Sequence, residues 1–153
     1  MRVRLRLGVV AHIFYRGKVL LVHRDNLPHI TYPDTWDSIT ESLEKGEDFE
    51  TGMRRGLLEE IGVVPASIEM LGVTRAGHGF FFGTLTNAER RAVFLGSEGQ
   101  GIGFFGLEEV RELWVGGAIG FHLAAHPEAF RKMARGMIPS LAELGLQVPV
   151  PAG

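Results

Sequence analysis

A chain of 153 residues, 45% hydrophobic and 22% charged, is long enough and apolar enough for one folded domain with its own core. Its net charge of −2 gives no electrostatic basis for a nucleic-acid or lipid partner. The absence of cysteine excludes disulfides and thiolate metal sites and fits a cytoplasmic protein.

The first residues, MRVRLRLGVV, alternate Arg2, Arg4 and Arg6 with Val3, Leu5 and Leu7, the period of a half-buried strand rather than of a signal peptide. Residues 8–15 are almost wholly apolar, Arg16-Gly17-Lys18 makes a turn, and VLLVHR closes a hairpin over residues 19–24. Pro28 and Pro33 mark residues 25–37 as a loop. A helix follows Gly46, capped by Asp48, with Phe49, Met53, Leu57 and Ile61 recurring as one core-facing stripe; Gly62 stops it. Strands are expected over residues 68–74, 79–85, 91–95 and 102–105, a short helix over 107–113, and a longer one over 126–144 with Pro139 kinking it. The most membrane-like run, LWVGGAIGF, falls far short of the roughly 20 residues a bilayer span needs. This order predicts one α/β or α+β domain over residues 1–153, built on a mixed sheet.

The chemistry concentrates in ESLEKGEDFETGMRRGLLEEIGV, residues 41–63. On a helix, Gly52, Gly56, Glu59 and Glu60 share a face, and Arg55 lies one turn before Glu59. Glu44 and Glu47 enter from the preceding loop. Carboxylates meeting at one helix face form a hard oxygen site suited to Mg²⁺ or Mn²⁺, although an isolated Glu pair near a helix end is more often plain solvated surface.

The run resembles the Nudix box, G-x5-E-x7-R-E-U-x-E-E-x-G-U, where U is a bulky aliphatic residue. Glu47, Arg55, Leu57, Glu59, Glu60, Gly62 and Val63 fall on it with spacing intact, seven of its nine defined positions. The resemblance implies an α/β/α sandwich and divalent-metal-dependent hydrolysis of a phosphoanhydride in a nucleoside diphosphate linked to another group. It implies Glu59 and Glu60 as metal ligands, Arg55 and Glu47 as an ion pair bracing loop and helix with Glu47 also reaching a metal, and Gly62 as further support of the box. It also implies a further acid on a late loop, here Glu98, as metal ligand or general base. His78 stands where such a fold would line a substrate pocket; Arg24 is a candidate for phosphate or base against plain surface, and Phe80, in the run Phe80–Phe82, a candidate for stacking on a nucleobase against burial in the core. The resemblance also allows a homodimer.

Two positions depart from the pattern: Glu41 replaces the opening glycine and Gly56 replaces a glutamate that is a metal ligand in the family. Either the carboxylate is lost, leaving an impaired nucleotide- or protein-binding module, or Glu41 supplies it from the loop while Gly56 leaves it room. An isomerase of the isopentenyl diphosphate type shares this fold but needs a cysteine the chain lacks. Gly101 to Gly106 matches G-x-G-x-x-G, yet without the strand before it and the long helix after it that a dinucleotide fold requires. His122 and His126 have zinc-ligand spacing without a third ligand.

Overall fold

The computed structural model describes residues 7–149. The strand expected at Val3 and Leu5 therefore lies outside the described residues, while Leu7 is exposed and belongs to no strand. Seven strands are described: β1 (Gly8–Tyr15), β2 (Lys18–His23), β3 (Trp36–Asp37), β4 (Ile39–Ser42), β5 (Glu69–Val73), β6 (Gly79–Thr84) and β7 (Gly101–Phe105). The helices are α1 (Phe49–Ile61), α2 (Asn87–Ala92), α3 (Leu107–Val110), α4 (Gly117–Ala125), α5 (Pro127–Ala134) and α6 (Leu141–Leu144). None is long and apolar enough to cross a membrane.

The sheet is mixed, and it splits. β1 pairs in parallel with β6 from Val9↔Gly79 to Phe14↔Thr84. Along its other edge β1 first takes β4 antiparallel, from Gly8↔Ser42 to Ala11↔Ile39, and then β2 at Phe14 and Tyr15. β2 leaves β1 in turn and pairs with β3 at Val22 and His23, with β7 along its opposite edge. Residues 36–42 thus form one extended run that crosses from β2 to β1, with Ser38 at the crossing. The loop expected over residues 25–37 ends in β3, and β4 is a strand that local pattern did not announce.

Alternation along the strands sorts two cores. Val9, Ala11, Ile13 and Phe81 pack with Met53, Leu57 and Ile61 of α1. Val10, Phe14, Phe80 and Phe82 pack with Ile119 and Leu123 of α4 and Phe130 and Met133 of α5. The result is helix, sheet, helix.

α1 forms where its ends and stripe predict. The Asp48 carboxylate accepts from Thr51 N at 2.8 Å, and Gly62 takes a left-handed φ of 72°, donating its N–H to the carbonyls of Leu57 and Leu58. Gly52 and Gly56 each weaken the helix by roughly 1 kcal/mol relative to alanine. Both are buried, because the β4 chain passes directly over them. A Cβ at Gly52 would collide with the Leu43 side chain, and one at Gly56 would stand 2.9 Å from the Glu41 Cβ.

Two expectations fail. The strand predicted over residues 91–95 is instead the end of α2 and a coil. Thr86 and Glu89 form a reciprocal capping box, at 3.1 and 2.8 Å, and start a helix there. The long helix predicted over residues 126–144 is α5 and α6, separated by Gly136 at φ 77° and restarted by a second capping box, Ser140 with Glu143. The glycine-rich run 116–120 opens α4, a helix that local pattern did not announce.

Candidate active site

The centre of the site is Arg55. Its guanidinium holds Glu47 in a two-pronged ion pair, Nη2 and Nε donating at 2.8 and 2.9 Å, and also donates to the Ser42 carbonyl at 2.8 Å. This ties the helix to the chain that enters it. Glu47 also accepts from Glu44 N at 2.7 Å, and the Arg55 hydrogen bonds first of all hold its carboxyl down to about 2. Glu47 is thereby committed to bracing. Glu59, Glu41 and Glu44 lie at the periphery of the same guanidinium, at 3.5, 3.6 and 3.7 Å.

Glu41 extends from β4 on the face that carries Ile39, so it points at α1 and lies over Gly56. Burial raises its carboxyl pKa, Arg55 opposing. Glu60 is the most perturbed acid of the group. Burial pushes it up to about 8, and the charges of Glu41 and Glu98 push in the same direction, with Arg24 alone pulling back and Asp37 adding to the push. Among the described residues its carboxylate has no hydrogen-bond or ion-pair partner. Glu98 is exposed on the loop before β7, and that loop is anchored: Gly99 N donates to Asp25 at 3.1 Å and Gln100 to the Arg24 carbonyl at 2.7 Å. Glu59 points outward, its side chain 59% exposed. Glu41, Glu59, Glu60 and Glu98 thus have the chemistry to hold a hard cation. As placed, no group of three or more acidic or imidazole side chains among the described residues is close enough to enclose one.

The three residues assigned to substrate do not meet. Arg24 stands with the acids, its Nε donating to Thr31 O at 3.0 Å. Phe80 is 1% exposed, in the core on the opposite face, so its ring offers no surface to a ligand. His78 faces that side too. Its Nδ1 accepts from Gly8 N at 2.9 Å, and it is near enough to His122 to depress that imidazole.

Sequence reasoning passed over a second polar group on that opposite face. His12, fully buried, bonds Ser38 Oγ at 2.7 Å through Nδ1 and His122 Nδ1 at 3.3 Å through Nε2, between the rings of Phe80 and Phe130. Burial lowers both imidazoles, His122 to about 4. Beside them Asp37, 4% exposed, accepts from Ser38, Ala118 and Ile119 N–H groups at 2.7, 3.2 and 2.9 Å and so caps α4. Burial raises it to about 6. The available signal was one histidine in an otherwise apolar strand.

The profile of the NUDIX domain family matches residues 4–119, and no curated protein matches the chain. Solved structures share the fold. The NUDIX domain of Shewanella oneidensis NrtR, complexed with ADP ribose, is 22% identical over 88% of this chain and 89% of its own, with a TM-score of 0.61. A MutT protein from Methanosarcina mazei is 21% identical, covering 86% and 93%, with a TM-score of 0.58. An Ap4A hydrolase from C. elegans is 16% identical, covering 84% and 93%, with a TM-score of 0.54. With the box, its Arg55 brace and the sandwich in agreement, the chain belongs to the Nudix family.

Proposed function

We propose that the protein hydrolyses a phosphoanhydride bond in a nucleoside diphosphate linked to another group, with Mg²⁺ or Mn²⁺ held by Glu41, Glu59, Glu60 and Glu98. One observation carries the reading: Glu41 occupies the space above Gly56, so an acid from β4 stands where the family places one on the helix. A donor set made only of carboxylates, with Glu60 left uncompensated among like charges, fits a divalent cation. When bound, such an ion neutralises phosphate charge and lowers the pKa of a bound water.

The chain's own residues do the rest. Arg55 and Glu47 fix the angle between loop and helix, so the ligands are held before substrate arrives. Arg24 meets the phosphate chain as a cation beside Glu60. Glu98 approaches from a glycine-flanked loop and can take the proton of the attacking water. ADP ribose and Ap4A, named with two of the similar structures, both contain a nucleoside joined through phosphates to a second group.

The test is a panel of nucleotide conjugates incubated with Mg²⁺, comparing the wild type with Glu41→Gln. Turnover that needs metal and falls by roughly 100-fold or more in the variant is expected; unchanged turnover removes Glu41 from the site. The loss of the helix carboxylate at Gly56 favours a second reading, a nucleotide-binding module without catalysis. Binding of the same compounds without turnover of any of them would establish it.

A further inference from the structure

Behind the acid loop lies a cleft of about 430 Å³, lined by Arg90, Val93, Phe94, Leu95, Ile102 and Phe104. Its size is within the range of small-molecule pockets. Five of these side chains are apolar and at least partly exposed, and Phe94 is 61% exposed. The one charge is Arg90, whose guanidinium lies over the Phe104 ring at 4.3 Å.

The cleft is continuous with the acids. Phe94 N donates to Ile61 O at 3.1 Å and Gly96 N to Glu60 O at 2.9 Å, so one wall is stitched to the last turn of α1. Leu95 Cδ1 lies 3.4 Å from where a Gly99 Cβ would stand, so that wall also touches the turn bearing Glu98. From residue 95 to residue 98 an extended chain spans at most about 10 Å. Gly62, besides ending α1, leaves room for the Phe94 ring, which a Cβ there would strike.

We propose that this cleft seats the nucleobase of the substrate, with the phosphates leading from it to the acids. The proposal rests on the hydrolase reading for its orientation. Its chemistry is local. A guanidinium lying over an aromatic ring at 4.3 Å, in a cleft lined by partly exposed apolar side chains and a largely exposed Phe94, offers surface of the kind that holds unpaired bases without reading their edges. Diphosphate-linked groups lacking a flat ring would leave this surface uncovered.

Uncharged nucleosides isolate the cleft, because they feel no repulsion from the carboxylates and need no metal. Binding of adenosine, guanosine, cytidine and uridine to the full chain in chelator, followed by saturation-transfer NMR, is expected for at least one. It should weaken about tenfold or more in both Phe94→Ala and Arg90→Gln. Mn²⁺ binding measured by electron paramagnetic resonance should stay unchanged in both variants. Arg90→Gln keeps the apolar wall intact and serves should Phe94→Ala fail to fold. No binding of any of the four nucleosides, or binding indifferent to both substitutions, overturns the proposal. So does a concentration-dependent dimer that Phe94→Ala dissociates while nucleoside binding persists, since the cleft then belongs to a second copy. Loss of Mn²⁺ binding or turnover in the wild type, with the nucleoside result standing, would instead count against the hydrolase reading alone.

Discussion

The two faces of the sheet treat buried polarity in opposite ways. On the α4–α5 face, Ser38, His12 and His122 form a linear chain of hydrogen bonds among phenylalanines, and burial lowers both imidazoles. On the α1 face, Arg55 satisfies Glu47, but Glu60 faces Glu41 and Glu98 with no partner. Burying a polar group is tolerated when its hydrogen bonds are made and destabilising when they are not. One face is therefore complete as folded, whereas on the other Glu60, half-buried and still reached by solvent, stands among like charges that an external cation would offset.

The largest expected effect breaks this comparison at its sharpest point. Glu60→Gln should lower Mg²⁺-dependent turnover by roughly 100-fold or more. The same change should raise the melting temperature in chelator at pH 8 by roughly 4 °C, because a repelled acid is removed. Loss of both activity and stability would mean that Glu60 is an ordinary structural residue.

The opposite face should reveal itself through acid. An imidazole whose folded pKa is depressed gives stability that is fully present above its unfolded value, near 6.5, and is lost as pH falls toward about 4. For His122 the difference amounts to about 3 kcal/mol at most. Asp37, raised to about 6, works the other way as pH rises through the carboxylate range, so the difference between variant and wild type is the quantity to read. Denaturant titrations of His122→Gln from pH 7 to pH 4 should lose stability less steeply than the wild type. Parallel curves would remove His122 from the balance.

A double-mutant cycle sharpens the contact between Glu41 and Gly56. Gly56→Ala should destabilise the wild type by about 1–3 kcal/mol through overpacking against the Glu41 Cβ, 2.9 Å away. In a Glu41→Gly background the same change should stabilise by a few tenths to about 1 kcal/mol, the helix propensity of alanine. Equal effects in both backgrounds would deny the contact. Smallest of all, Ser38→Ala should cost about 1 kcal/mol by unsatisfying His12, while leaving Mn²⁺ affinity unchanged.

What could be read from sequence was local. The stripe, cap and stop of α1 are short-range signals, and so is the spacing of Arg55 and Glu47. β1, β2, β5, β6 and β7 follow from apolar runs and turns. β3 and β4 were missed because their short, mostly polar run is extended only by pairing with two different strands. Residues 91–95 have strand composition, yet the Thr86–Glu89 capping box upstream had already set a helix. His78 and Phe80 read as pocket candidates because nothing in β6 itself tells which of its faces α1 will cover. That parity is decided by β1, through a parallel pairing seventy residues away in the chain.

The pairing Val9↔Glu41 has a consequence of its own. An acid borne on a helix keeps its bearing if a neighbouring strand slips, but an acid borne on β4 does not. A shift of one residue against β1 would turn Glu41 through the sheet, toward His12 and away from Glu60. Under the proposed function, sheet alignment therefore becomes a condition of the chemistry. Substitutions at Val9, directly opposite Glu41, or at Ile39, two residues before it, would act on the proposed reaction by changing where the strand comes to rest.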